Sequence, residues 1–161
     1  MNVSRFRIRP FETSDAASVC EIYYRSVHGV AIAKYTQAQV DAWAPQVPEA
    51  SSWLPSLSGY HTYLAVDEED RAVAWISMTS AGYVDMLFCL PEALGRGVAG
   101  KLYDTVEQMA IERGLTGMTT HASLLAQPFF AKRGWNVVKH EFYERNGVAL
   151  PRAEMSKELN G

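Results

Sequence analysis

The sequence predicts a mixed α/β domain built on one sheet with helices on both of its faces. Three observations predict it. Apolar residues recur at helical spacing before residue 45, alternate with a period of two from residue 61, and return to helical spacing after a glycine-rich run at 95–100. The resulting order, β-α-α-β-β-β-α-β-α-β-β, gives about seven strands interleaved with about four helices. Finally, 161 residues with 48% hydrophobic and 20% charged side chains suffice for one soluble core, and no repeat, low-complexity tract or linker divides the chain.

Each element has its own signal. Arg5-Phe6-Arg7-Ile8-Arg9 alternates, so its two apolar residues share one face of a first strand. Thr13, Ser14 and Asp15 are credible N-caps for a helix whose stripe is Val19, Ile22, Tyr23, Val27 and Val30, with Gly29 near its end. Thr36-x-x-Gln39 is a capping box opening a short helix that Pro45 stops by Trp43. Pro48, Pro55, Gly59 and several serines predict an irregular connection over 45–60 with one helical turn. Residues 61–67 and 72–78 read as a hairpin around the charged turn Glu68-Glu69-Asp70, and 83–90 as a third, more apolar strand. The glycine loop leads into a helix over 98–113. Val98, Leu102, Val106, Met109 and Ala110 share one of its faces, and Gly114 caps its C-terminus. Residues 116–121 read as a strand, 124–133 as a helix ending at Gly134, and 135–143 as a strand. The turn Asn146-Gly147 precedes a last strand near 152–157.

Composition narrows the function. A formal net charge of −3 with no Lys/Arg-rich run argues against nucleic acid as the main partner. The longest apolar stretches are strand-length, so no membrane span is expected. The start MNVSRFRIRP lacks an apolar signal core, which points to the cytoplasm. Cys20 and Cys89 lie far apart, and His28, His61, His121 and His140 show no ligand spacing, so no metal is expected.

Residues 95–101, GRGVAGK, fit three phosphate-binding patterns at once. A P-loop needs Ser or Thr after the lysine to hold Mg²⁺, but Leu102 stands there, on the buried stripe of the helix. A dinucleotide fingerprint needs its first glycine directly after the strand and an acid about 20 residues on. Here Pro91-Glu92-Ala93-Leu94 intervenes and the next strand ends without Asp or Glu. What remains is a loop of small residues opening a helix. Gly97, Ala99 and Gly100 strip bulk from the first turn, whose outward N–H groups and dipole suit a pyrophosphate without a metal. Arg96 and Lys101 can add charge, and a ligand-free glycine turn is the alternative.

Here the chain resembles the GCN5-related N-acetyltransferase (GNAT) superfamily, in particular a small bacterial branch with Y-x-x-x-Q-x-x-x-W-A-P, met by Tyr35, Gln39, Trp43, Ala44 and Pro45. The family's V-x-P and Q/R-x-x-G-x-G/A block is met by Cys89-Leu90-Pro91 and Leu94-Gly95-Arg96-Gly97-Val98-Ala99. Its second block, N-x-x-A-x-x-F-Y-x-x-x-G-F, is met by Ser123, Ala126, Phe129, Phe130, Gly134 and Trp135. The resemblance implies the GNAT fold, a mixed but mostly antiparallel central sheet in a single domain over 1–161, and acetyl transfer from acetyl-CoA to an amine by direct attack. It places the cofactor's phosphates on Leu94, Gly95, Arg96, Gly97, Val98, Ala99 and Gly100. Its pantetheine arm would lie along the main chain of Leu87, Phe88 and Cys89, near Ser123 and Phe130. Three departures stand out: Leu94 replaces Gln or Arg, Ser123 replaces Asn, and Phe130 replaces the Tyr that protonates the departing thiolate in many relatives, leaving an apolar wall.

Amine attack requires a base. Asp85, inside an apolar strand just before the pantetheine segment, is the first candidate, with a structural hydrogen-bonding role as the alternative. His121 is the second, as base or as structural histidine. Ser123, Tyr143 or water could return a proton to the thiolate. By analogy Tyr24, His28, Tyr35 and Trp43 line the acceptor pocket or pack as core. The expected acceptor is the primary amine of a small molecule or an amino-acid derivative, with neither nucleic acid nor membrane as partner, and a homodimer is left open. The alternative function is a non-catalytic acyl-CoA-binding or sensing module of the same fold.

Overall fold

In a computed structural model, which describes residues 5–160, the strands are β1 (Arg7–Pro10), β2 (His61–Val66), β3 (Ala72–Met78), β4 (Tyr83–Cys89), β5 (Gly117–Ser123), β6 (Asn136–Arg145) and β7 (Val148–Glu158). They form one sheet in the order β1-β2-β3-β4-β5-β7-β6. Every adjacent pair among the described residues is antiparallel except β4 and β5. Helices α1 (Ala16–Gly29) and α4 (Val98–Glu112) pack on β3 and β4. They contribute Val19 and Val27, and Leu102, Tyr103 and Val106, to a core whose sheet side is Leu64, Trp75 and Ile76. The sheet is covered on both faces, and β3 is buried along almost its whole length rather than at alternate residues. No helix of the described residues is long and apolar enough to cross a membrane.

The local signals act as expected at α2 (Gln37–Trp43). Thr36 Oγ1 accepts from Gln39 N at 3.1 Å, and Gln39 Oε1 accepts from Thr36 N at 2.9 Å. Asn146 and Gly147 both take positive φ in the β6–β7 turn, the backbone that a tight hairpin demands.

Three boundaries differ from the sequence reading. The expected irregular connection over 45–60 is, from residue 50, a fifth helix, α3 (Ala50–Gly59), with Pro55 inside it. Proline withholds one main-chain N–H and usually ends a helix. This one persists because Leu57 is buried, Trp53 and Leu54 pack on the core, and α1 lies alongside. The helix expected over 124–133 is only α5 (Gln127–Ala131), since Ser123 Oγ accepts from Ala126 N at 3.2 Å and holds 123–126 as a turn. Finally, β7 begins at Val148, close to the turn, so its hairpin with β6 is longer than expected.

At the sheet's first edge, Asp15 turns away from capping α1. Its two oxygens accept from Arg9 Nη1 and Nη2, each at 2.8 Å, and Oδ2 also accepts from Glu12 N at 2.8 Å. The Arg9 hydrogen bonds hold the Asp15 carboxyl below its usual range, against the opposing effect of burial. Its stabilising contribution is therefore complete above about pH 4 and is lost as pH falls through the lower folded-state value. Asp15→Asn is expected to cost about 2 kcal/mol at pH 7. Urea unfolding should show the gap to wild type narrowing at pH 3.

Candidate active site

Strands β4 and β5 are paired only at their starts, through Tyr83↔Thr119 and Val84↔Thr120. Thr120 Oγ1 closes that end by donating to Val84 O at 2.8 Å. Beyond Val84 a cavity of about 250 Å³ separates the strands, walled by residues 84–88 on one side and 120–123 on the other. On its other edge β4 remains bonded to β3, in register Trp75↔Phe88 and Ile76↔Leu87, with Leu90 N donating to Val73 O at 2.8 Å. Main-chain groups alternate in direction along an antiparallel strand. Those of Leu87 and Cys89 therefore point into the gap, and those of Phe88 point to β3.

The β3–β4 register shifts between Ser77 and Met78, whose partners are Met86 and Val84. Asp85 is the extra residue of this bulge. Bulges re-aim side chains, and this one brings Asp85 and Met86 to the same cavity walls. Among the described residues the Asp85 carboxylate has no hydrogen-bond or ion-pair partner, and burial pushes it above the usual carboxylate range. Across the gap, His121 Nδ1 is 2.7 Å from Tyr83 Oη, and Nε2 is 3.9 Å from carboxylates of both Glu141 and Glu154. In the tautomer that accepts the Tyr83 proton, Nε2–H faces those carboxylates. Arg152 Nε donates to Glu141 at 2.6 Å and holds that carboxyl below its usual range.

A second, apolar cavity of about 220 Å³ includes Leu94 and Ala99 in its lining, at the N-terminus of α4. It shares Trp43, Leu87, Phe88, Ser123 and Ala126 with the first, so the two form one passage. Gly97 is the N-cap of α4 with φ 76°, and Gly95 has the same φ; a Cβ on either would meet nothing within 4 Å. These glycines answer a backbone requirement and leave the loop face open. The amides of Val98, Ala99 and Gly100 precede the first helical bond of the turn, Lys101 N to Gly97 O at 3.2 Å. That is the geometry of an anion cradle on a long helix. Arg96 is half-buried in the loop itself. Loop, passage and outward main chain together fit a diphosphate followed by a narrow pantetheine-like arm. The Cys89 thiol, pushed to about 11 by burial, is no nucleophile there.

The remaining candidates divide. Phe130 is buried and lines the gap cavity, packed 4.8 Å from the Trp135 ring. Tyr35, Trp43 and Ser123 line it as well. Tyr24 and His28 do not: their rings stack at 4.3 Å, and His28 Nε2 is held 2.7 Å from Ala44 O, tying α1 to the end of α2. The neighbour Tyr23 lines the cavity instead, its hydroxyl donating to Trp43 O at 3.1 Å. Tyr35 Oη donates to Pro151 O at 2.7 Å and accepts from Leu124 N at 2.9 Å, and Gln39 Nε2 donates to Ala149 O at 3.2 Å. Tyr35 and Gln39 thus clasp the start of α2 to β7, while Trp43 O ties its end to Tyr23 and Arg145. Tyr35→Phe is expected to lower stability by about 1–3 kcal/mol, read as a lower urea midpoint at unchanged slope.

Two features escaped the sequence reading. Tyr83 lines the gap together with Tyr143, each with its hydroxyl pushed above the usual phenol range by burial. Arg133 Nη2 lies 2.8 Å from where a Gly100 Cβ would stand, its guanidinium stacked 3.8 Å over Phe129. Gly100 therefore makes room for an arginine beside the phosphate cradle. Among the described residues no group of three or more His, Cys, Asp or Glu could hold a metal ion.

A family profile described as "Acetyltransferase (GNAT) domain" matches residues 31–159. The chain is 32% identical over 146 residues to the uncharacterized N-acetyltransferase YafP of Escherichia coli (strain K12), covering 91% of each. It superposes with TM-score 0.91 and 31% identity on a GCN5-related N-acetyltransferase from Rhodopseudomonas palustris, covering 99% of both chains. PaiA N-acetyltransferase from Thermoplasma acidophilum, solved in complex with coenzyme A, shares the fold with TM-score 0.76 at 14% identity, over 96% of this chain and 99% of that one.

Proposed function

The chain belongs to the GNAT acetyltransferase family, and from that premise we propose that it transfers the acetyl group of acetyl-CoA to the primary amine of a small molecule by direct attack. One observation carries this reading: an apolar passage runs from the α4 cradle into the β4–β5 gap, where an unpartnered carboxylate waits. Acetyl-CoA supplies the activated thioester. The rest is done by residues of this chain.

An alkylamine has a pKa near 10.4 and arrives largely protonated. Asp85, desolvated but reachable from the cavity, accepts that proton, and its raised pKa makes it a stronger base than an ordinary carboxylate. His121 is the second base on the opposite wall and acts through Tyr83: that hydroxyl takes the amine proton as it passes its own to His121 Nδ1, 2.7 Å away. The N–H groups of Leu87 and Cys89 face the passage and favour negative charge developing on the carbonyl oxygen. As the C–N bond forms and the C–S bond breaks, the sulfur takes a proton from Tyr143, Ser123 or water. A thiol pKa near 8.5 makes this the easier step. Phe130 supplies an apolar wall that keeps the thioester from water.

The test is free-thiol release from acetyl-CoA across a panel of primary amines, with calorimetry of coenzyme A binding alongside. Amine-dependent release is the expected result. Tight binding with no release from any amine would leave only a sensor.

A further inference from the structure

Resting on the acetyltransferase reading, we propose that the acceptor amine also bears a carboxylate, and that a third cavity, behind Asp85, selects it. This cavity of about 200 Å³ lies between α3 and strands β3 and β4, and Asp85, Met86 and Arg145 line both it and the β4–β5 gap. The two spaces meet at Asp85.

Two of its wall groups have unspent hydrogen-bonding capacity. Trp75 Nε1 and Ser77 Oγ belong to residues exposed by 0% and 1%, and neither atom has a hydrogen-bond partner among the described residues. They stand two apart on β3, hence on one face, and both residues line this cavity. An indole N–H can only donate, and a hydroxyl can donate too. Native interiors rarely leave such donors unpaired, and here two sit on one wall. Arg145 adds permanent positive charge to the same space, its Nε fixed on Trp43 O at 3.1 Å. Asp85 provides the opposite sign.

The lining is therefore dipolar. An amine beside Asp85 whose oxyanion reaches Trp75, Ser77 and Arg145 satisfies every one of these groups. A plain alkylamine would leave both donors unpaired, and a neutral hydroxyl would forgo the attraction of the exposed Arg145 guanidinium. Trp53 and Leu57 complete the wall with apolar surface, and the small volume suits a compact carboxylate.

The experiment uses amino acids and ω-amino carboxylates, each paired with its amide and its decarboxylated amine. In ¹⁵N-labelled protein without acetyl-CoA, the indole N–H signal of Trp75, assigned with Trp75→Phe, is expected to shift saturably with the carboxylates alone. With acetyl-CoA, thiol release should favour each carboxylate over its decarboxylated partner by about a hundredfold in kcat/KM. Ser77→Ala and Arg145→Gln should each narrow that preference about tenfold. Equal turnover of both partners with an unmoved Trp75 signal overturns the carboxylate inference and leaves the acetyltransferase reading standing. A shifted signal with no thiol release from any pair upholds the subsite and overturns the transfer reading. An unmoved signal with no release overturns both.

Discussion

Gly97→Asp is expected to weaken coenzyme A binding at least about a hundredfold, roughly 3 kcal/mol, with the sheet intact. The two halves of this expectation rest on different observations. The fold survives because a Cβ at Gly97 meets nothing within 4 Å and because Asp is among the residues that tolerate a left-handed backbone such as its φ of 76°. Binding fails because the new carboxylate enters the cradle formed by the amides of Val98, Ala99 and Gly100. There it repels a diphosphate and competes for the N–H groups that would hold it. Gly97→Ala separates backbone strain from charge and should retain most of the affinity. Calorimetry with coenzyme A, alongside the thermal unfolding of each variant, checks both halves. Wild-type affinity in Gly97→Asp would show that the loop is only a turn.

The features legible in the sequence are those that local chemistry determines. The capping box at Thr36 and Gln39, the hairpin around Asp70 and the small residues opening α4 each act through neighbours a few positions away. What stayed hidden depends on strand register or on distant contacts. Asp85 stood out as an acid in an apolar strand, but its arrival at the meeting point of two cavities follows from a bulge against β3 that no local pattern announces. Trp75 and Ser77 read as alternating residues of a core strand, and only tertiary structure shows them unpaired. Gly100 looked like part of a phosphate motif, whereas it also makes room for Arg133, thirty-three positions away. Helix α3 was obscured by Pro55, whose lost hydrogen bond is outweighed by packing against α1 and the core. Tyr23 rather than its neighbour Tyr24 lines the cavity, because one residue on a helix turns a side chain by about 100°.

Asp85→Asn should then separate activity from stability. Positioned bases contribute about 10²–10⁴-fold, so kcat is expected to fall by that order while acetyl-CoA affinity holds. In the wild type, log kcat should rise with pH along a limb set by Asp85 ionisation, displaced upward from the ordinary carboxylate value by burial. The variant should lack that limb. Tyr83, His121, Tyr143 and Arg145 line the same cavity and are unaltered in the variant. The stability effect has the opposite sign. A carboxyl whose folded pKa is raised contributes stability below its unfolded pKa and loses it as pH climbs through the folded value. At pH 7 ionised Asp85 therefore burdens the fold, and the neutral amide should raise the melting temperature or leave it unchanged. A slower but no less stable enzyme marks a charge kept for chemistry. Full activity in Asp85→Asn, lost instead in His121→Ala, would move the base to the opposite wall of the gap.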